Sequence, residues 1–114
     1  MIKKFNNCPL KDAKFKDGTI VKNVSFRTLA FGEMTLGTIM YYKKGAVVPL
    51  HKHHHEQVGF VVLGKLKVNF NNQEAIIEKG DSYALQGNTE HSLEALEDSQ
   101  IIDMFTPVRK EYLD

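Results

Sequence analysis

Residues 45–64 read GAVVPLHKHHHEQVGFVVLG, and four of the five histidines of the 114-residue chain lie within this stretch. They occupy positions 51, 53, 54 and 55, and Glu56 and Gln57 follow directly. The apolar run 58–63 ends at Gly64, a pattern that is typical of a buried strand closed by a turn. We therefore predict a histidine-rich segment between a turn at Pro49 and a buried strand.

The fifth histidine, His91, lies far downstream, and we predict that the fold returns it to this stretch to form a metal site. His51 and His53 are two positions apart, so on a strand they point to the same side. Neutral imidazoles suit nickel, iron, zinc, manganese or copper rather than calcium or magnesium. His54 and His55 also stay open as ligands. His55 would lie on the same face of the strand as His51 and His53, so alternation alone does not choose among these three. A solvated polar turn is the alternative, and four histidines in five positions favour the metal.

The composition indicates one globular domain of 13.0 kDa with a single cysteine, Cys8. One cysteine excludes an intrachain disulfide and a thiolate metal site. Twelve of the 15 Lys and Arg lie in residues 1–70, but they are dispersed and lack interleaved aromatic residues, so we predict no nucleic-acid partner. No signal peptide or bilayer-crossing segment is apparent, and we predict a cytoplasmic protein with no membrane partner.

From residue 19 onward the pattern is almost entirely β, with short segments rich in β-branched and aromatic residues between turn residues. We predict strands over residues 24–30, 33–42, 57–63, 65–70, 74–77, 82–85, 91–96 and 100–106. Many short strands without intervening helices predict an antiparallel sandwich or barrel. One helical turn is predicted near residues 109–113. Residues 1–18 lack the pattern and are predicted to form an N-terminal arm.

The last predicted strand places Ile101, Asp103 and Phe105 on one face. An aspartate between two apolar residues on a buried face costs free energy unless it is paired or used. Asp103 is therefore a second candidate functional residue.

The spacing of five residues in the opening stretch resembles the first signature of the cupin superfamily. Gly45 is followed by His51-x-His53, then by Gln57 and by Gly64. Gln57 takes the place of the usual acidic ligand.

A second segment resembles the other cupin signature, so the resemblance covers roughly residues 40–106. Gly80 is followed by Asp81, and His91 lies eleven positions after the glycine. Gln86 and Asn88 stand where this signature normally has proline and glycine, which affects the geometry of the turn.

The resemblance implies an all-β double-stranded β-helix, the cupin jelly-roll barrel, over residues 19–114. It also implies one divalent transition metal ion (Ni, Zn, Fe or Mn) held by His51, His53, Gln57 and His91. A neutral amide in place of a carboxylate leaves the ion a stronger Lewis acid and holds it less tightly. Small cupins commonly pair, so the family implies a homodimer in which the arm 1–18 adds a strand to the partner.

The C-terminal segments 95–99 (ALEDS) and 102–112 (IDMFTPVRKEY) resemble the ending of small single-domain cupins. That group includes the enzymes that ketonise unsaturated uronates during pectin and alginate breakdown. The resemblance implies a metal-dependent isomerase of a small carboxylate-bearing sugar acid, with Asp103 and Phe105 beside the metal and Asp103 as general acid/base. Phe105 and Arg109 are the other candidate catalytic residues. Arg27 and Tyr42 are candidates for holding the substrate carboxylate, from their positions on predicted strands alone.

Simpler roles and other functions stay open for these residues. Phe105 is also expected from plain core packing, and Arg109 from a salt bridge at the C-terminus. The same ligands would support an Fe(II)-dependent dioxygenase, and a non-catalytic module that binds a small molecule or a metal is the third alternative.

Overall fold

Ten strands and two short 3-10 turns make up the computed structural model, which describes residues 1–114. The 3-10 turns span Phe5–Asn7 and Lys110–Tyr112. The strands are β1 (Lys11–Lys14), β2 (Ile20–Phe31), β3 (Leu36–Tyr42), β4 (Val47–His51), β5 (Glu56–Leu63), β6 (Lys65–Phe70), β7 (Gln73–Glu78), β8 (Ser82–Leu85), β9 (His91–Ala95) and β10 (Ser99–Thr106). Neither helical segment has the length or the apolar character to cross a membrane.

The strands form two antiparallel sheets with the hydrophobic core between them. The six-stranded sheet has the order β1-β2-β3-β10-β5-β8 and the four-stranded sheet the order β4-β9-β6-β7. Val61 and Ile101 from the first sheet and Leu66 from the second are fully buried in one cluster. This arrangement confirms the predicted all-β jelly roll, and the C-terminal helical turn is a minor part of it.

Strand β4 shows that the predicted turn at Pro49 is wrong. Pro49 lies inside β4, which is an edge strand of the four-stranded sheet. A proline is tolerated on an edge because its missing N–H need not join the ladder. The register with β9 shifts between Val48 and His51, and His51 then lies directly opposite His91.

The N-terminal arm is more ordered than its sequence pattern indicates. Lys11 of β1 lies opposite Phe26 of β2 in the same chain, and Cys8 is buried. Lys11 and Lys3 both form ion pairs with Asp114, so the arm also contacts the C-terminal end. The exchange of this strand with a second copy of the chain stays a prediction.

Candidate metal centre

Three histidines from distant parts of the sequence meet at one end of the jelly roll. Each of His51, His53 and His91 offers one ring nitrogen, and these three nitrogens lie within 4.8 Å of one another. The ring centroids of His51 and His91 are 4.2 Å apart, and those of His53 and His91 are 5.0 Å apart. The pairing of β4 with β9 produces this convergence, because it sets His51 opposite His91.

His53 reaches the cluster from a loop, so the strand-parity argument does not explain its position. Strand β4 ends at His51 and β5 begins at Glu56. The loop between them is held by a hydrogen bond of 2.7 Å from the backbone N–H of Asn88 to the carbonyl of His53. Asn88 has a φ of 63°, a left-handed conformation that asparagine tolerates better than most residues. The asparagine therefore keeps the positive φ for which a glycine is expected here.

Each of the three rings uses Nδ1 to contact a backbone carbonyl two residues away. The contacts join His51 to the oxygen of Pro49 at 2.8 Å, His91 to that of Thr89 at 2.7 Å, and His53 to that of His55 at 3.1 Å. A carbonyl oxygen only accepts hydrogen bonds, so Nδ1 carries the hydrogen in each ring. Such bonds orient a ring and leave the lone pair of Nε2 available as a metal ligand.

The rings are also held in the uncharged form that binds metals. Burial lowers the pKa of His51 and His91 below the usual value, and it lowers the pKa of His53 to about 3. The positive charge of Arg109 acts in the same direction on all three rings. Near neutral pH, the three imidazoles are therefore uncharged.

Gln57 offers a candidate fourth ligand atom beside the three histidines and a test of whether a metal fits. Its Oε1 lies 3.0 Å from Nε2 of His53, whose Nδ1 already faces a carbonyl oxygen. A neutral imidazole has only one N–H, but both nitrogens of His53 face oxygen atoms that can only accept hydrogen bonds. One of the two nitrogens therefore directs its lone pair at a lone pair of the oxygen that it faces. Two ligands about 2.0–2.1 Å from one ion and at right angles to it lie about 3.0 Å apart. A cation between these two atoms resolves the conflict, and the residues therefore fit a divalent ion.

Asp103 lies deeper in the protein, in a row of side chains that crosses three strands. Gly59 of β5 pairs with Tyr83 of β8 on one side and with Asp103 of β10 on the other. The Tyr83 hydroxyl donates a hydrogen bond of 2.5 Å to Oδ1 of Asp103 above the glycine. A Cβ atom on Gly59 would come within 2.4 Å of that Oδ1 and of the Tyr83 ring, so only glycine leaves room for this contact.

The Asp103 carboxyl is only 1% exposed, and burial raises its pKa to about 6. The hydrogen bond from Tyr83, the nearby Gln57 amide and the charge of Arg109 all act in the opposite direction. Tyr83 also accepts a hydrogen bond of 3.2 Å from Nε2 of Gln57. A continuous series of contacts therefore runs from His53 through Gln57 and Tyr83 to Asp103.

Sequence reasoning did not identify Tyr83 as part of the site. The available signal was its place on the predicted strand 82–85, since a buried tyrosine hydroxyl usually needs a polar partner. The Tyr83 ring also lines a small cavity of about 30 Å³, together with Gln57 and His91.

Phe105 packs beside His53, and Arg109 stacks on Phe105. Phe105 is buried with its ring centroid 5.8 Å from that of His53, while the Arg109 guanidinium lies 5.0 Å above the Phe105 ring and 4.2 Å above that of Tyr112. Nε of Arg109 donates a hydrogen bond to Glu111 at 2.9 Å, which is the predicted C-terminal salt bridge. Its terminal nitrogens donate to no protein acceptor.

Arg27 and Tyr42 are not brought to the histidines. Phe26 and Thr28 are buried, so alternation along β2 turns Arg27 to the opposite face, where it donates a hydrogen bond of 2.6 Å to the carbonyl of Cys8. Tyr42 is buried in the hydrophobic core. Burial raises the pKa of its hydroxyl, and the nearby charge of Asp103 raises it further while that of Arg109 lowers it, so Tyr42 lies close to these two residues. Strand position alone does not distinguish such residues from those that line a site, and Arg27 holds the N-terminal arm.

The remaining two histidines of the loop do not belong to the three-histidine cluster. His55 is 4% exposed, its Nδ1 has no hydrogen-bond partner, and its ring lies 3.9 Å from that of His54. His54 is exposed. Parity alone left His55 open as a ligand. Its ring centroid lies 5.5 Å from that of His53, but its nitrogens lie outside the group formed by His51, His53 and His91.

Comparison with known proteins agrees with the fold. The family model described as a cupin domain matches residues 38–105. An RmlC-like cupin from Shewanella frigidimarina is 22% identical with a TM-score of 0.86, over 98% of this chain and 95% of that one. KdgF from Halomonas sp. is 25% identical, also with a TM-score of 0.86, over 99% of this chain and 100% of that one. A predicted oxalate decarboxylase from Thermotoga maritima is 19% identical with a TM-score of 0.76, over 95% of this chain and 100% of that one. The comparison with curated proteins gave no match.

Proposed function

The chain belongs to the cupin domain family, and on that premise we propose that it is a metal-dependent isomerase of a small sugar acid. The proposed substrate is an unsaturated uronate, in which a carboxylate is conjugated to a double bond that bears the ring oxygen, so an enol forms when the ring opens. The observation that carries the metal is the 3.0 Å contact between two lone-pair atoms, Nε2 of His53 and Oε1 of Gln57. The substrate class is supported by the resemblance of segments 95–99 and 102–112 to the small cupins that include uronate-ketonising enzymes.

In this proposal, His51, His53, Gln57 and His91 hold one divalent transition metal ion (Ni, Zn, Fe or Mn). A bound ion supplies a Lewis acid with open positions for oxygen atoms of the substrate. The protein's own contribution is a set of uncharged, oriented imidazoles and one neutral amide, so the ligands cancel none of the positive charge.

The proposed reaction opens the sugar ring and then ketonises the enol that is released. The hemiacetal hydroxyl gives up its proton and becomes an aldehyde as the bond between its carbon and the ring oxygen breaks. The ring oxygen becomes an enol oxygen, and a proton is added to the neighbouring carbon as the ketone forms, so atoms and electrons balance without a redox partner.

Such a reaction needs an acid/base group and a means to hold the carboxylate. We propose Asp103 for the proton transfer, with Tyr83 between it and the cavity, because a pKa of about 6 suits proton exchange near neutral pH. We propose Arg109 for the carboxylate, because its terminal nitrogens are unused and Arg pairs well with carboxylates. Phe105 fixes the Arg109 guanidinium by stacking.

Elemental analysis of protein purified without a His-tag or added metal tests the metal site. We expect about one divalent transition metal ion per chain, since the nitrogens of His51, His53 and His91 lie within 4.8 Å of one another and the Gln57 oxygen lies 3.0 Å from His53. Protein that stays metal-free after incubation with nickel, zinc and manganese salts would contradict the proposal.

The metal-loaded protein also tests the reaction. Incubation with an unsaturated uronate should remove the ultraviolet absorption of the double bond conjugated to the carboxylate. Iron-dependent consumption of oxygen would instead indicate the dioxygenase. Tight binding with no product detectable by mass spectrometry would indicate the non-catalytic module.

We also propose a cytoplasmic homodimer, in keeping with the family resemblance. The outer face of the six-stranded sheet exposes Val58, Phe60 and Met104 by 47%, 49% and 44%. The outer face of the other sheet instead carries ion pairs that include Lys67 and Glu94. Burying the apolar face in a second copy removes it from water. Light scattering after size exclusion should give twice the chain mass, and a monomer at micromolar concentration would contradict the dimer.

A further inference from the structure

The Tyr83 hydroxyl occupies the one position that touches both the proposed ligand Gln57 and the buried carboxylate of Asp103. Its oxygen is 3.2 Å from Nε2 of Gln57 and 2.5 Å from Oδ1 of Asp103. Gly59 provides the space for this contact, because any Cβ there would meet both Asp103 and the Tyr83 ring. The backbone is therefore shaped to admit this hydroxyl.

The hydrogen count in this group determines which way the Gln57 amide faces. Tyr83 has one hydroxyl hydrogen, and the short contact to Asp103 uses it. The Tyr83 oxygen is then only an acceptor towards Gln57, so the amide must turn its NH₂ towards Tyr83. Its oxygen, Oε1, must then face Nε2 of His53 and the metal position.

Without the hydroxyl, the NH₂ of Gln57 loses its direct acceptor and keeps only its weaker interaction with the Asp103 carboxylate. A rotation of the side-chain amide by 180° would let its NH₂ donate to Nε2 of His53, and two facing lone pairs would be replaced by a hydrogen bond. That rotation removes the only oxygen ligand of the proposed site, because an amide nitrogen with two hydrogens has no lone pair to offer.

We infer that Tyr83 is a positioning residue, which keeps the oxygen of Gln57 directed at the metal through a hydroxyl anchored on Asp103. This inference rests on the proposed metal site and adds to it a group that touches no metal. Partners that orient a ligand in this way typically contribute about 10- to 100-fold to metal affinity.

The test is the affinity of the full chain for Ni²⁺ or Zn²⁺, measured by competition with a chelator for four variants. Tyr83→Phe should weaken binding about 10- to 100-fold in the wild-type background. In a Gln57→Glu background, the same change should weaken binding by no more than about threefold, because a carboxylate presents an oxygen whichever way it turns. The absorption spectrum of the Co²⁺-loaded protein should differ between the wild type and Tyr83→Phe. It should be the same in Gln57→Glu and in the double variant.

Tyr42→Phe is the matched control, because Tyr42 is a second buried tyrosine that makes no hydrogen bond to Gln57 or Asp103. It should bind metal as the wild type does. Equal losses from Tyr83→Phe in both backgrounds, or wild-type affinity in Tyr83→Phe, would overturn the role of Tyr83 while the metal site stands. Wild-type protein that binds neither ion would overturn the metal site and the role of Tyr83 together.

Discussion

His91→Ala is expected to lower the affinity for a divalent transition metal by at least about 100-fold, more than the loss of a residue that only orients a ligand. His91 is the proposed ligand that comes from the second half of the chain, and its ring centroid lies 5.0 Å from that of His53 and 4.2 Å from that of His51. The other three proposed ligand atoms come from the single segment 51–57. Without His91, the four-strand sheet contributes only His51 to the site.

The measurement is thermal unfolding with and without metal, together with metal content. A ligand that binds only the folded state at 100 times its dissociation constant stabilises the protein by about 2.7 kcal/mol. The wild type should show this shift, and His91→Ala should show almost none. Unfolding of the metal-free variant checks that the fold itself survives.

His54→Ala is the matched control for this experiment, since it removes a histidine from the same loop that does not belong to the three-histidine cluster. Metal content and the metal-induced shift should both stay at wild-type values. A His54→Ala variant that loses metal as His91→Ala does would contradict the assignment of ligands.

The periodicity of the strands predicted most of the fold, because polar and apolar residues alternate along a strand wherever one face of the sheet is exposed to solvent. Strands β6 and β8 match their predicted ends, and Lys65–Phe70 shows the alternation most clearly. Two strands were missed for opposite reasons. Strand β1 is only four residues long, and β4 contains Pro49, which reads as a turn although an edge strand accepts it.

The spacing of the histidines predicted the right cluster by way of a wrong local geometry. His51 and His53 were expected on one strand, but the strand ends at His51. Their approach depends on a loop held by the backbone N–H of Asn88, a contact between backbone groups 35 positions apart. No pattern within the segment 45–64 contains that information.

The polar groups behind the ligands were the least predictable part of the site. The carbonyls of Pro49, His55 and Thr89 orient the three rings, and every residue has such a carbonyl. Tyr83 and Asp103 meet only because Gly59 lies between them in the sheet. Asp103 was found because an acidic residue on an apolar face is conspicuous, whereas a tyrosine on such a face is not.

Asp103→Asn is expected to lower turnover of an unsaturated uronate by about 10²- to 10⁴-fold, the usual contribution of a general acid/base. The carboxyl is buried and its pKa is raised to about 6, so it exchanges a proton near neutral pH, which an amide does not do. An asparagine is nearly the same size and keeps an oxygen that accepts the Tyr83 hydroxyl. The orientation of Gln57, and with it the metal content, should therefore be unchanged.

Thr38→Val separates the loss of the carboxyl from a general disturbance of the interior around it. Thr38 is fully buried opposite Asp103, and its hydroxyl donates to the backbone carbonyl of Asp103 at 3.3 Å without touching the carboxylate. Its replacement should preserve turnover, with both variants measured at equal metal content. An Asp103→Asn variant with wild-type turnover would show that the buried carboxylate serves to anchor Tyr83 and that the proton is carried by another group. A loss of turnover in both variants would instead assign the effect to the packing of β3 against β10.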